Sequence, residues 1–126
     1  MLKRIGVETV LLATDLDACR DFYEGSLELP VVATGATSFT VQSGTSRIRV
    51  SRSTTGTRDQ QTKCIWTVPD VRAVVTWLAM RDVDPLRYNG EDGIHTDKDG
   101  IAVHGSSLIA WIQDPAGNTL GIQQPT

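Results

Sequence analysis

Val68-Pro69-Asp70-Val71-Arg72-Ala73-Val74-Val75 is where the chain begins its pattern a second time. Ahead of it, Lys63–Val68 reads as a strand, and Pro69-Asp70 breaks that strand. The Asp70 carboxylate can then accept from the free N–H groups of a helix's first turn. Val71, Val74, Val75, Leu78 and Ala79 follow at helical spacing. Fifty-five residues earlier, Asp15 stands in the same place. A strand-like run, Ile5–Ala13, precedes it, and Leu16, Cys19, Phe22, Tyr23 and Leu27 form an apolar stripe behind it. That first helix is expected to end near Gly25–Glu28.

Working outward, three short strands follow the first helix: Val31–Ala33, Ser38–Gln42 and Ser46–Ser51, the last two joined by a turn at Gly44. Residues 53–61 are polar and read as a linker. After the second helix come an extended segment, Leu86–Tyr88, and a polar stretch, 89–107, expected to be mostly loop. A hairpin of Leu108–Gln113 and Thr119–Gln124 then closes around Asp114-Pro115-Ala116-Gly117-Asn118. The order is strand, helix, three strands, twice over. The expectation is an α+β fold of two tandem βαβββ units in one domain, 1–126. The units are 1–52 and 62–126, with 53–61 between them.

Composition narrows the function. The chain has 126 residues, a net charge of -3 and 21% charged residues. An acidic balance without a basic stripe argues against nucleic acid as a partner. No segment approaches the roughly 18–20 apolar residues of a membrane span, and the first residues lack an apolar leader. Two cysteines, Cys19 and Cys64, do not make a disulfide scaffold. They read as buried thiols in a cytoplasmic protein.

Three passages and one shorter stretch resemble a known family. Asp15-Leu16-Asp17-Ala18-Cys19-Arg20-Asp21-Phe22-Tyr23 is similar to the D-L-x-x-x-x-x-F-Y entry to the first helix of the vicinal-oxygen-chelate superfamily (glyoxalases, bleomycin-resistance proteins and extradiol dioxygenases). Val68–Val75 resembles its counterpart in the second unit. Ala110-Trp111-Ile112-Gln113-Asp114-Pro115-Ala116-Gly117-Asn118-Thr119-Leu120 looks like the superfamily's late D-P-x-G-N hairpin, and Asp99-Gly100-Ile101-Ala102 ahead of it is similar to bacterial members. The resemblance implies that the strands form a curved mixed sheet or cup with the helices outside. It also implies that, in metal-dependent members, four His, Glu or Gln side chains on the cup face hold a divalent ion.

Strand parity carries those four positions onto this chain. The first lies seven residues before each helix-capping Asp, at Glu8 and Lys63. The closing position falls at Gly121, and its first-unit counterpart, between Ile48 and Val50, at Arg49. Ammonium and guanidinium groups offer no lone pair, and glycine has no side chain. One donor in four does not make a divalent site. No metal and no cofactor are therefore expected. His95 and His104 lie in the 89–107 segment beside Asp92, Asp97 and Asp99, and read as solvated loop residues rather than a relocated site.

The reading this favours is a metal-free module that binds a small, anionic or aromatic molecule through Glu8, Arg49, Lys63, Trp111 and Gly121. Arg49 suits an anion through its bidentate fork, and Trp111 offers a face for stacking or for core packing. Two alternatives stand beside it. One is a lyase or dioxygenase-type enzyme with a displaced site, or with Glu8 as base and Lys63 or Arg49 stabilising an enolate. The other is a structural or regulatory domain whose cup is plugged by an ion pair from Glu8 to Lys63 or Arg49. A homodimer is expected, since pairing covers sheet edges.

Overall fold

The computed structural model describes residues 1–91 and 93–126; Asp92 lies outside the described residues. The chain folds as two compact units, Met1–Asp59 with Pro115–Asn118, and Gln60–Asp114 with Thr119–Thr126.

In the first unit, β1 (Glu8–Ala13) leads to α1 (Leu16–Arg20), then to β2 (Val31–Thr34), β3 (Ser38–Ser43) and β4 (Ser46–Arg52). The sheet order is β1-β4-β3-β2, with β1 parallel to β4 and the other neighbours antiparallel. Asp15 caps α1 as its sequence position predicts, its side chain accepting from Ala18 N at 3.0 Å. The helix then widens over Asp21–Ser26 into a π turn, where Leu27 N donates to Phe22 O at 2.9 Å. The wider turn lets two consecutive aromatics, Phe22 and Tyr23, both face inward. They meet edge to face at 5.1 Å, and Tyr23 also packs on Phe39. Alternation along the strands sends Leu11, Ala13, Phe39, Val41, Ile48 and Val50 to the same buried layer. Each of these side chains larger than alanine contributes about 1.5–3 kcal/mol when removed from water.

β1 starts later than the apolar run that announces it. A single helical turn at Leu2–Arg4 precedes it, and Ile5 and Val7 are exposed. The reason is register: β4 begins at Ser46, so the parallel ladder opens at Glu8 opposite Arg47.

The second unit repeats the order. β5 (Thr62–Thr67) is followed by α2 (Val71–Ala79), capped by Asp70 through Ala73 N at 3.1 Å. Then come β6 (Ala102–His104), β7 (Ser107–Gln113) and β8 (Thr119–Pro125), in sheet order β5-β8-β7-β6. Val71, Val75 and Leu78 are buried, as are Ala110, Ile112, Leu120 and Ile122, which alternate along β7 and β8.

One strand is not where the sequence puts it. Leu86–Tyr88 does not join the sheet; Ala102–His104, inside the expected loop, takes that place. Leu86 adds one backbone bond to the β7 edge, donating to Trp111 O at 2.8 Å. The return to β6 passes Gly100, at φ 82°, where a Cβ would sit 2.5 Å from Pro85 Cγ. Only glycine fits that approach.

The Asp-Pro-x-Gly-Asn turn has a structural explanation. Asn118 is buried; its Nδ2 donates to Leu12 O at 3.0 Å, and its Oδ1 accepts from Thr57 Oγ1 at 2.6 Å. A buried amide left without these partners would cost about 1–3 kcal/mol. Among the described residues, no helix is long and apolar enough to cross a membrane.

Candidate functional site

The five residues singled out by sequence fall into two sets, one in each unit. In the first unit, Glu8, Val10 and Leu12 share the face of β1 opposite the buried layer, as alternation predicts. Their ladder partners Arg47, Arg49 and Ser51 continue that face on β4. Arg49 Nη2 lies 2.7 Å from Glu8 Oε2. This half of the plugged arrangement is therefore formed, but on an open face: Val10 is 55% exposed and Leu12 40%. A half-exposed ion pair of this kind stabilises little.

In the second unit, Gly121 lies opposite Ile65 on β5 and Trp111 on β7. Lys63 departs from the simple count. The β5–β8 register slips between Thr62 and Cys64, leaving Lys63 as the extra residue of a bulge. Thr62 pairs with Thr119 as Glu8 pairs with Arg47, so the slip puts Thr62 at Glu8's register position. Alternation alone assumes one residue per ladder step, and no local signal marks the slip.

This face of the second unit is covered by its own chain. Ala102, Ile109 and Trp111 form a buried cluster, and Leu86, Tyr88 and Ile94 pack against it. Trp111 is 7% exposed. Tyr88 meets its ring edge to face at 5.3 Å, and its Nε1 donates to Thr62 Oγ1 at 3.2 Å. The covering segment is pinned by Thr96, which is buried. Its hydroxyl donates to Tyr88 O at 3.2 Å and accepts from Tyr88 N at 3.0 Å. Beside Trp111 a groove of about 510 Å³ remains, walled by Thr62, Tyr88, Ile94, Trp111 and Thr119, with Gln60 and Gln61 alongside. Burial raises the Tyr88 phenol above its ordinary pKa, so the hydroxyl stays neutral.

Sequence reasoning singled out Trp111 but not Thr62, Ile94 or the two glutamines. The signal was present in part. Leu86, Tyr88 and Ile94 are the apolar residues of the otherwise polar segment 86–96, a pattern that asks for a surface to cover.

The residues do not fit the metal that the resemblance implies. Glu8 is committed to Arg49. At Gly121, a Cβ would meet Ile65 Cγ1 and Thr62 Cγ2, each at 3.2 Å, so those side chains occupy the space a ligating side chain needs. Among the described residues, no three His, Cys, Asp or Glu side chains gather into a metal-binding group. His95 is exposed and bridges to Asn89, while His104 is exposed on β6. Asp97 and Asp99 are both taken by Arg72, at 3.0 and 3.1 Å. Asp97 also accepts from the N–H groups of Ile101 and Asp99. Those bonds, led by Ile101, hold its carboxyl below the usual range.

The remaining candidates are structural. Burial, with the Asp114 charge adding to it, pushes the Cys64 thiol up to about 11, which makes it inert as a nucleophile near neutrality. Cys19 is buried in the first unit. Trp77 is half exposed on α2, with the Arg81 guanidinium 5.0 Å from its ring centre.

No protein-family model and no curated protein matches the sequence. Solved structures do. A glyoxalase family protein from Enterococcus faecalis superposes with a TM-score of 0.71 at 12% identity, over 98% of this chain and 99% of that one. An antibiotic-binding protein from a Streptomyces species gives 0.70 at 17%, over 98% of both chains. Lactoylglutathione lyase from Agrobacterium tumefaciens gives 0.64 at 20%, over 97% and 93%. The fold is the one these proteins share.

Proposed function

We propose that this chain is a metal-free small-molecule binding protein, with its ligand lying in the groove over Trp111 on the second unit's sheet face. The observation that carries this reading is the substitution of chemistry at that face. Where a metal-dependent relative needs donors, this chain has Gly121 beneath Ile65 and Thr62. Beside it, two aromatic rings border a groove of about 510 Å³, within the range of ligand pockets. The antibiotic-binding protein of the same fold supports binding as a role for such an architecture. Lys63 and Gly121 then neither ligate a metal nor line the groove. Glu8 and Arg49 form an ion pair on the first unit's own sheet face.

Thermal-shift screening against flat aromatic compounds, anionic aromatics and glycopeptide antibiotics tests this. The expected result is a raised midpoint with at least one aromatic class, lost in Tyr88→Ala. No shift with any class would instead favour the reading in which the covering segment plugs the face. Stoichiometric metal in purified protein would overturn the metal-free assignment and return the enzyme reading. Pairing of two copies is proposed as well, supported by the exposed Val10 and Leu12; a monomer by light scattering at micromolar concentration would overturn it.

A further inference from the structure

The groove over Trp111 also discriminates by charge, a reading that rests on the binding role proposed above. We infer that it takes a neutral, flat aromatic molecule with a carbonyl acceptor on its edge, and that Thr62 is the residue that reads that acceptor.

Among the described residues, none of the side chains lining the groove is charged. A carboxylate entering it would lose water without gaining a cation, and an ammonium would find no carboxylate; either carries an uncompensated desolvation cost. The polar groups present are hydroxyls and amides: Thr62 and Thr119 on the strands, Gln60 and Gln61 ahead of β5. Thr62 is the distinctive one. Its Oγ1 accepts the Trp111 indole N–H at 3.2 Å. The indole's single donor is therefore used inside the protein. The Thr62 hydroxyl still carries its own proton, which needs an acceptor other than the indole. Thr62 lines the groove, so a carbonyl oxygen on a molecule packed against Trp111 and Tyr88 meets that proton. Acceptor, flatness and neutrality are thus asked for at one place. The cationic and anionic side chains that sequence parity put forward play no part there: Arg49 is committed to Glu8, and Lys63 is not among the lining residues.

The test uses the full chain and four probes of one shape: 2-naphthamide, naphthalene, 2-naphthoate and 2-naphthylmethylammonium. Binding is followed by tryptophan fluorescence and thermal midpoint. The amide should bind about fivefold tighter than naphthalene, the worth of one neutral hydrogen bond. It should bind on the order of tenfold or more tighter than either ion. Thr62→Val should erase the amide's advantage over naphthalene while naphthalene still binds, and Thr62→Ser should restore it. Either ion binding as well as the amide overturns the inference, as does an amide advantage that survives Thr62→Val. If none of the four probes binds while the wider screen finds another ligand class, this inference fails alone. If the wider screen is also empty, the binding role fails with it.

Discussion

The two units are built from one plan but treat the same sheet face in opposite ways. In the first, the face away from the buried layer is open, with Val10 and Leu12 exposed beside the Glu8–Arg49 pair. In the second, the equivalent face is roofed by Leu86, Tyr88 and Ile94. The register makes the contrast concrete. Thr40 lies opposite Arg49 in the first unit, and Trp111 lies opposite Gly121 in the second. In the first unit Thr40 is buried while the arginine opposite it stays half exposed and paired with Glu8. A glycine facing a tryptophan leaves room for a ring and draws apolar cover onto it. A duplicated fold thus supplies two copies of one surface, and the two copies carry different side chains at the same ladder position.

The largest effect expected is at that position. Trp111→Ala removes a buried ring with partners on three sides, and should cost about 3–5 kcal/mol in chemical denaturation. Thr40→Ala, its first-unit counterpart, should cost about 1 kcal/mol or less. Equal losses would break the asymmetry. Gly121→His comes next. Its Cβ would crowd Ile65 and Thr62, so a loss of about 1–3 kcal/mol is expected in thermal unfolding. Elemental analysis after zinc loading should show no stoichiometric metal. A stable, zinc-binding variant would mean that the second unit retains a latent metal site.

The helix caps offer a control in which the units should agree. Asp15→Ala and Asp70→Ala should each cost about 1 kcal/mol, because both carboxylates accept from the backbone N–H three residues on. The smallest effect is expected at the open face. Glu8→Gln and Arg49→Ala should each change stability by about 0.5 kcal/mol or less, and raised salt should narrow even that. A loss well beyond this would show that the first unit's face is covered in the working protein, as in a dimer.

Much of this was legible beforehand, for identifiable reasons. The caps at Asp15 and Asp70 could be read because capping is local: one carboxylate, three residues, one geometry. The face assignment of Glu8 and Arg49 could be read because β1 and β4 run without a slip. Lys63 could not be placed the same way, since the slip beside it depends on how β5 meets β8. Leu86–Tyr88 has the alternation of a strand, but whether an alternating segment enters a sheet or lies across it depends on what already occupies the edge. Here β6 does.

The sequence by itself determined the repeated order of elements, the capped helices and the buried layers. All follow from periodicity and side-chain chemistry, which are properties of short stretches. Only the tertiary structure decided that Arg49 closes on Glu8, that Thr62 takes the register position counted to Lys63, and that Trp111 is roofed and its indole N–H held. Those outcomes depend on which strand lies beside which and at what register. That is a matter of long-range packing, which local pattern does not encode.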